Sequence, residues 1–221
     1  MRLSQCRPSA IGEIRQGDGA GTVDGVMPAE DDQVDGEARR ITAYHEAAHA
    51  RAAVRRGATV NQIDITTDDE NGNYEGNNHV DIDPDHLGFY AYGGPWMSAR
   101  LLEGPEQSVD IDRVMRYVRQ SQADWPILQK ALGRTDLTDE EASDAYTAAY
   151  FDRDPPPGEV QPDGETAKSW HKDLGDEEPE IEDLAEKLLA GQREIQVGDS
   201  VLVRVGESDC WRKPGWTPPS G

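Results

Sequence analysis

The sequence predicts a mainly α-helical domain of the α+β class, with a short strand after its first helix and a small β-rich C-terminal segment. Residues 38–56 contain no Gly or Pro and are rich in alanine, so a helix is expected there. Apolar residues recur at three- and four-residue spacing in several later stretches, whereas period-two alternation is confined to 60–66 and 194–205.

Taken in order, residues 1–36 are rich in Gly, Asp, Glu and Ser without periodicity and read as a flexible tail. Within it, Gly17-Asp18-Gly19-Ala20-Gly21 lacks the Gly-Lys-Ser/Thr ending of a phosphate loop, and its acidic neighbours would repel phosphate. The first helix buries a stripe of Ile41, Tyr44, Ala48, Ala52 and the Ala53/Val54 pair, and stops at Arg55-Arg56-Gly57. Val60-Asn61-Gln62-Ile63-Asp64-Ile65-Thr66 alternates as a half-buried strand, and a polar loop extends from there to about Pro84.

A second helix is expected over 87–102, interrupted or preceded by Gly93-Gly94-Pro95. A third covers 108–122, with Ile111, Val114, Met115 and Val118 on one face. Two more cover 125–132 and 138–151, the latter opened by a Thr138/Glu141 capping box. Residues 152–179 are rich in Pro, Gly and acids and read as a solvated linker. Helical spacing returns at 181–192 through Ile181, Leu184, Leu188 and Leu189, and 194–205 reads as a hairpin around Gly198-Asp199. The expected organisation is a tail at 1–36, one domain over 37–195 containing the 152–179 linker, and a separate hairpin and tail over 196–221.

The net charge is -22, from 44 acidic against 22 basic residues. This argues against nucleic-acid phosphates and anionic membranes as partners. No apolar run approaches the ~20 residues of a membrane span, and residues 1–10 lack the apolar stretch of a secretory signal. Cys6 and Cys210 lie in opposite tails and give no disulfide framework. The expectation is a cytoplasmic protein.

Chemistry concentrates in His45-Glu46-Ala47-Ala48-His49. Residues four apart share one helix face, so both imidazoles can grip one ion while Glu46 serves a metal-bound water as base. A third ligand must come from elsewhere. A histidine six residues after His49 is excluded, because Arg55 stands there. His79, His86 and His171 remain, along with the carboxylates Glu70, Glu75, Asp110 and Asp112.

Ala43-Tyr44-His45-Glu46-Ala47-Ala48-His49-Ala50 resembles the peptidase helix of the FtsH-type zinc metalloproteases, which reads Ala-Tyr-His-Glu-Ala-Gly-His-Ala. The likeness continues in order through Val60 to Ile65, through Gly93-Gly94-Pro95 to Leu101-Leu102-Glu103-Gly104, and through Asp110. It ends with the Ile181-Glu182-Asp183-Leu184-Ala185-Glu186-Lys187-Leu188-Leu189 helix. Ala48 departs from the usual glycine, and Ser98 and Ala99 replace an acidic pair.

The resemblance implies a helical zincin-type peptidase fold in which His45, His49 and Asp110 hold Zn2+ and Glu46 is the catalytic base. With no Walker-type loop in the sequence, hydrolysis independent of ATP is expected. The substrates would be unfolded or flexible polypeptides, an ATPase could assist in trans, and the strand near Ile63 could pair with an extended substrate. The alternative is a non-catalytic acidic interaction protein whose zinc helix is structural or vestigial.

Overall fold

The computed structural model describes residues 30–68, 73–74, 76–104, 109–151 and 160–219. Residues 1–29, with Cys6 and the Gly17–Gly21 run, and the loop carboxylates Glu70 and Glu75 lie outside them. Within the described residues the chain is mainly helical, with a small antiparallel sheet.

Helix α1, Glu30–Arg55, begins ahead of the expected boundary at 37 and forms the centre of the molecule. Ala43, Ala47, Ala48, Ala50, Ala52 and Ala53 are all fully buried, so neighbours reach its backbone closely. The helix ends where Gly57 takes φ 76° and donates its N–H to the Val54 carbonyl, a left-handed cap that glycine adopts without strain.

Against α1 lies α2, Leu87–Glu103. Gly93-Gly94-Pro95 does not interrupt it. Every residue from Gly88 to Ala99 is buried, so packing outweighs the weak local propensity and the N–H donor that Pro95 lacks. A Cβ on Gly93 would stand 3.1 Å from Ala52 Cβ and 3.2 Å from the Ala48 carbonyl oxygen. Gly93 therefore lets α2 approach the main chain of α1 at Ala48.

Helix α3 spans Ile111–Gln120 and buries Val114, Met115 and Val118; α4 spans Asp124–Leu132. Helix α5, Asp139–Phe151, opens with the expected capping box. Thr138 N–H and Oγ1 both donate to Glu141 Oε2, and Glu141 N–H donates to Thr138 Oγ1.

The solvated-linker reading fails over most of its length, because α6 runs from Gly164 to Leu189. Asp163 caps it, accepting from the N–H groups of Glu165 and Thr166. Ala167, Leu174, Ile181, Leu184, Ala185 and Leu188 are buried at helical spacing. The acids that suggest solvation meet the basic end of α1. Arg51 Nε donates to Glu177 Oε2 at 3.0 Å, and Arg55 and Arg56 reach Asp173 at 3.1 and 2.7 Å. Only 152–159 of that stretch lies outside the described residues.

The main sheet has the order β4-β1-β7-β6-β5 and is antiparallel throughout. Its strands are β1 (Thr59–Asp64), β4 (Asn77–Asp81), β5 (Glu194–Val197), β6 (Ser200–Arg204) and β7 (Cys210–Arg212); β2 (Thr67–Asp68) and β3 (Asn73–Tyr74) pair separately. The expected hairpin is β5–β6, turning at Gly198 with φ 58°.

That hairpin is not a separate unit. Strand β7 joins it to β1, with Trp211 opposite Ile63, fully buried, and donating Nε1–H to the Gln192 carbonyl. Strand β1 is therefore internal, paired on both sides, and cannot accept a substrate strand as expected. The outer positions belong to β4 and β5. No described helix is long and apolar enough to cross a membrane.

Because β7 completes the sheet, Trp211→Ala should cost about 3–5 kcal/mol in urea denaturation, the usual loss for an aromatic removed from a core. A chain ended at Arg193 should show no cooperative transition. An unchanged midpoint in either variant would mean that the C-terminal strands stand apart from the core.

Candidate metal centre

One helical turn separates His45 from His49, and both rings turn the same nitrogen to one point. Their Nε2 atoms are 3.0 Å apart. Asp124, at the start of α4, places Oδ2 3.2 Å from His45 Nε2 and Oδ1 3.1 Å from His49 Nε2. These three residues form a group able to hold a metal ion. Ligand atoms about 2.0–2.1 Å from a tetrahedral ion lie about 3.3 Å from one another, close to the spacing found.

The opposite ring nitrogens are fixed by α2. His49 Nδ1–H donates to the Tyr90 carbonyl at 2.7 Å, and His45 Nδ1 lies 2.9 Å from Ser98 Oγ. Each contact orients its ring with Nε2 toward the cluster, as outer hydrogen bonds do for metal-bound histidines. Ser98 thus holds the outer nitrogen of His45. Ser121 Oγ donates to Asp124 Oδ2 at 2.7 Å while accepting the Asp124 N–H at 3.1 Å, which locks the carboxylate at the helix start.

Space for an ion depends on a glycine. A Cβ on Gly94 would overlap the Nε2 atoms of both histidines. The main chain of α2 passes that close because position 94 has no side chain.

Glu46 lies on the adjoining face of α1 and is 1% exposed. Asn78 Nδ2 donates to Glu46 Oε2 at 2.5 Å and to the Glu46 carbonyl at 3.0 Å. Oε1 is buried and has no hydrogen-bond partner. An orphaned carboxylate oxygen beside a donor cluster fits a site that takes water or substrate.

Burial pushes the Glu46 carboxyl up to about 8, with Asp124 adding to the rise and His49 and Asn78 opposing it. Burial would also raise Asp124, but the imidazoles outweigh it and hold Asp124 well below the ordinary carboxylate range. For His49, burial works to lower the pKa, and the Asp124 charge overturns it and lifts the ring to about 9. Burial keeps His45 below its ordinary value. A cation bound here would compete with protons for the same ring nitrogens.

Asp110 is not in the cluster. Its Oδ1 accepts the Arg113 N–H at 2.9 Å as the cap of α3, and its side chain is 58% exposed. Asp112 is exposed on the same helix. The remaining histidines serve elsewhere. His79 packs on Trp216, His86 precedes α2, and His171 meets the Tyr92 hydroxyl at 2.8 Å.

Sequence reasoning misses Asp124 because Ser108-Val109-Asp110 and Ser121-Gln122-Ala123-Asp124 are similar polar leads into helices. A distinguishing signal lies in the next four residues. Asp124 precedes Trp125, Pro126, Ile127 and Leu128, an apolar start that buries the residue before it. The chain matches no family model, no curated protein and no solved structure.

Two comparisons of metal content after dialysis check this centre. Asp124→Ala should lose bound metal, whereas Asp110→Ala should keep it and lose only the roughly 0.5–2 kcal/mol of a helix cap. Gly94→Ala should remain folded by circular dichroism and bind no metal. Stoichiometric metal in that variant would place the ion elsewhere.

Proposed function

We propose that the chain is a zinc-dependent metalloendopeptidase of the zincin type, related to the FtsH-type peptidases and acting without ATP on unfolded or flexible polypeptides. The observation that carries this reading is the convergence of His45, His49 and Asp124 beside the buried carboxylate of Glu46. Two imidazoles and one carboxylate suit zinc and leave a fourth position open, the pattern of catalytic sites. The two-histidine, one-aspartate set keeps the ligand types that the resemblance implies, with Asp124 in the aspartate's role. Zinc held there would acidify a water and polarise a peptide carbonyl.

The protein's own groups do the rest. Asn78 occupies Oε2 of Glu46, so Oε1 is the oxygen left to accept a proton from the attacking water and return it to the departing amine. Burial raises the Glu46 carboxyl, and a cation held by the neighbouring residues would favour its ionised form, the form a base needs. Strand β4 has an outer edge and carries Asn78, so an extended polypeptide paired to that edge would lie beside Glu46. An ATPase in trans would be needed only for folded substrates.

The acidic-interaction alternative draws less support. Asp173, Glu177 and Asp209 are engaged by arginines of the same chain rather than offered to a basic partner.

Glu46→Gln should retain about one zinc per chain yet lose peptide hydrolysis by on the order of 10²–10⁴-fold, the range for a general base. Hydrolysis by the wild-type chain should stop with a chelator and return with zinc. Cleavage by Glu46→Gln at the wild-type rate would contradict the assignment.

A further inference from the structure

We propose that Asn78 is a positioning residue for catalysis, acting through Glu46; this rests on the reading of Glu46 as the base. Its Nδ2 group donates at once to the Glu46 main-chain oxygen at 3.0 Å and to the side-chain Oε2 at 2.5 Å. Both acceptors belong to one residue, so a single amide ties the carboxylate to its own backbone and fixes the side-chain torsions. The amide orientation is set by the partners. Turned over, Asn78 would set its oxygen against two acceptors and Glu46 Oε2 would lose its donor.

The fold delivers this amide to Glu46 by register. Strand β4 pairs with β1 so that Asn78 lies opposite Ile63, and β1 comes directly after α1 and the Gly57 stop. Asn78 is 2% exposed. Just before it, Gly76 brings main chain against the same carboxylate, where a Cβ would overlap Glu46 Oε1 and Cδ. Glu46 is thus held by an amide on one oxygen, while the other oxygen has no polar partner. A general base held in one orientation carries its proton at one defined atom. Released from Asn78, the carboxylate would divide its time among rotamers, and fewer encounters with the water would be productive.

The test measures kcat and KM of zinc-loaded variants on an unstructured peptide, with zinc content and melting temperature alongside. Asn78→Ala should lower kcat about 10–100-fold, the usual effect of removing an orienting partner, with KM within about twofold and zinc unchanged. Asn78→Asp keeps the shape but replaces the donor with an acceptor, so its kcat should fall at least as far. Asn78→Ser retains a hydroxyl donor and should recover part of the loss. Should Asn78→Ala not fold, the Asp and Ser variants decide by the same ordering.

Wild-type kcat in Asn78→Ala or Asn78→Asp, with Glu46→Gln inactive, overturns the positioning role and leaves the base assignment standing. Wild-type activity in Glu46→Gln overturns both.

Discussion

A buried carboxylate needs a partner, and Asp124 has two imidazoles one helical turn apart. Asp124 is 2% exposed and His49 1%, so these groups face one another almost without water. Moving such charges out of water costs several kcal/mol per ion unless geometry and hydrogen bonds compensate. Here α1 supplies both rings, α4 supplies the carboxylate, and α2 orients both rings through the Tyr90 carbonyl and Ser98. Those contacts require α2 to lie close to α1. Gly93 against Ala48 and Ala52, and Gly94 against the two Nε2 atoms, make that approach possible. The small-residue interface is therefore a condition of the site as well as of the core.

The parts remote from the cluster hold α1 in place. Helix α6 covers one side of α1 and answers Arg51, Arg55 and Arg56 with Glu177 and Asp173, so these acids balance cations of the same chain. Arg39 near the other end of α1 reaches Asp209 beside β7, which couples the C-terminal segment to the same helix. The sheet sets β4 over Glu46. A strand order with β1 in the interior moves any pairing edge from β1 to β4, the strand that also carries Asn78. The candidate metal ligands, the proposed base and the amide that holds it thus reach one place from α1, α4 and β4, with α2 as the shared support.

Features decided within a few residues were legible in the sequence. His45, Glu46 and His49 fall at one helical period, Thr138 and Glu141 cap their own helix, and Gly198 turns its own hairpin. Features that depended on distant partners were not. Asp110 and Asp124 both come shortly after a serine at a helix start; the apolar run after Asp124 marks it for burial, but that it is buried against two histidines, while Asp110 caps a helix in solvent, is decided by packing. Residues 164–179 look solvated until α1 supplies arginines more than a hundred positions earlier. Strand β7 has three residues, too few for alternation to show, and its role comes from its register with β1. Gly93-Gly94-Pro95 carried a local signal against helix that complete burial overrode.

The central claim is that His45, His49 and Asp124 hold one zinc ion with a position left open. X-ray absorption spectroscopy of the zinc-loaded protein tests it most directly. The account predicts a first shell of about four nitrogen and oxygen atoms near 2.0–2.1 Å, with outer scattering from two imidazoles. A first shell containing sulfur, outer scattering from three or more imidazoles, or failure to retain zinc would contradict it.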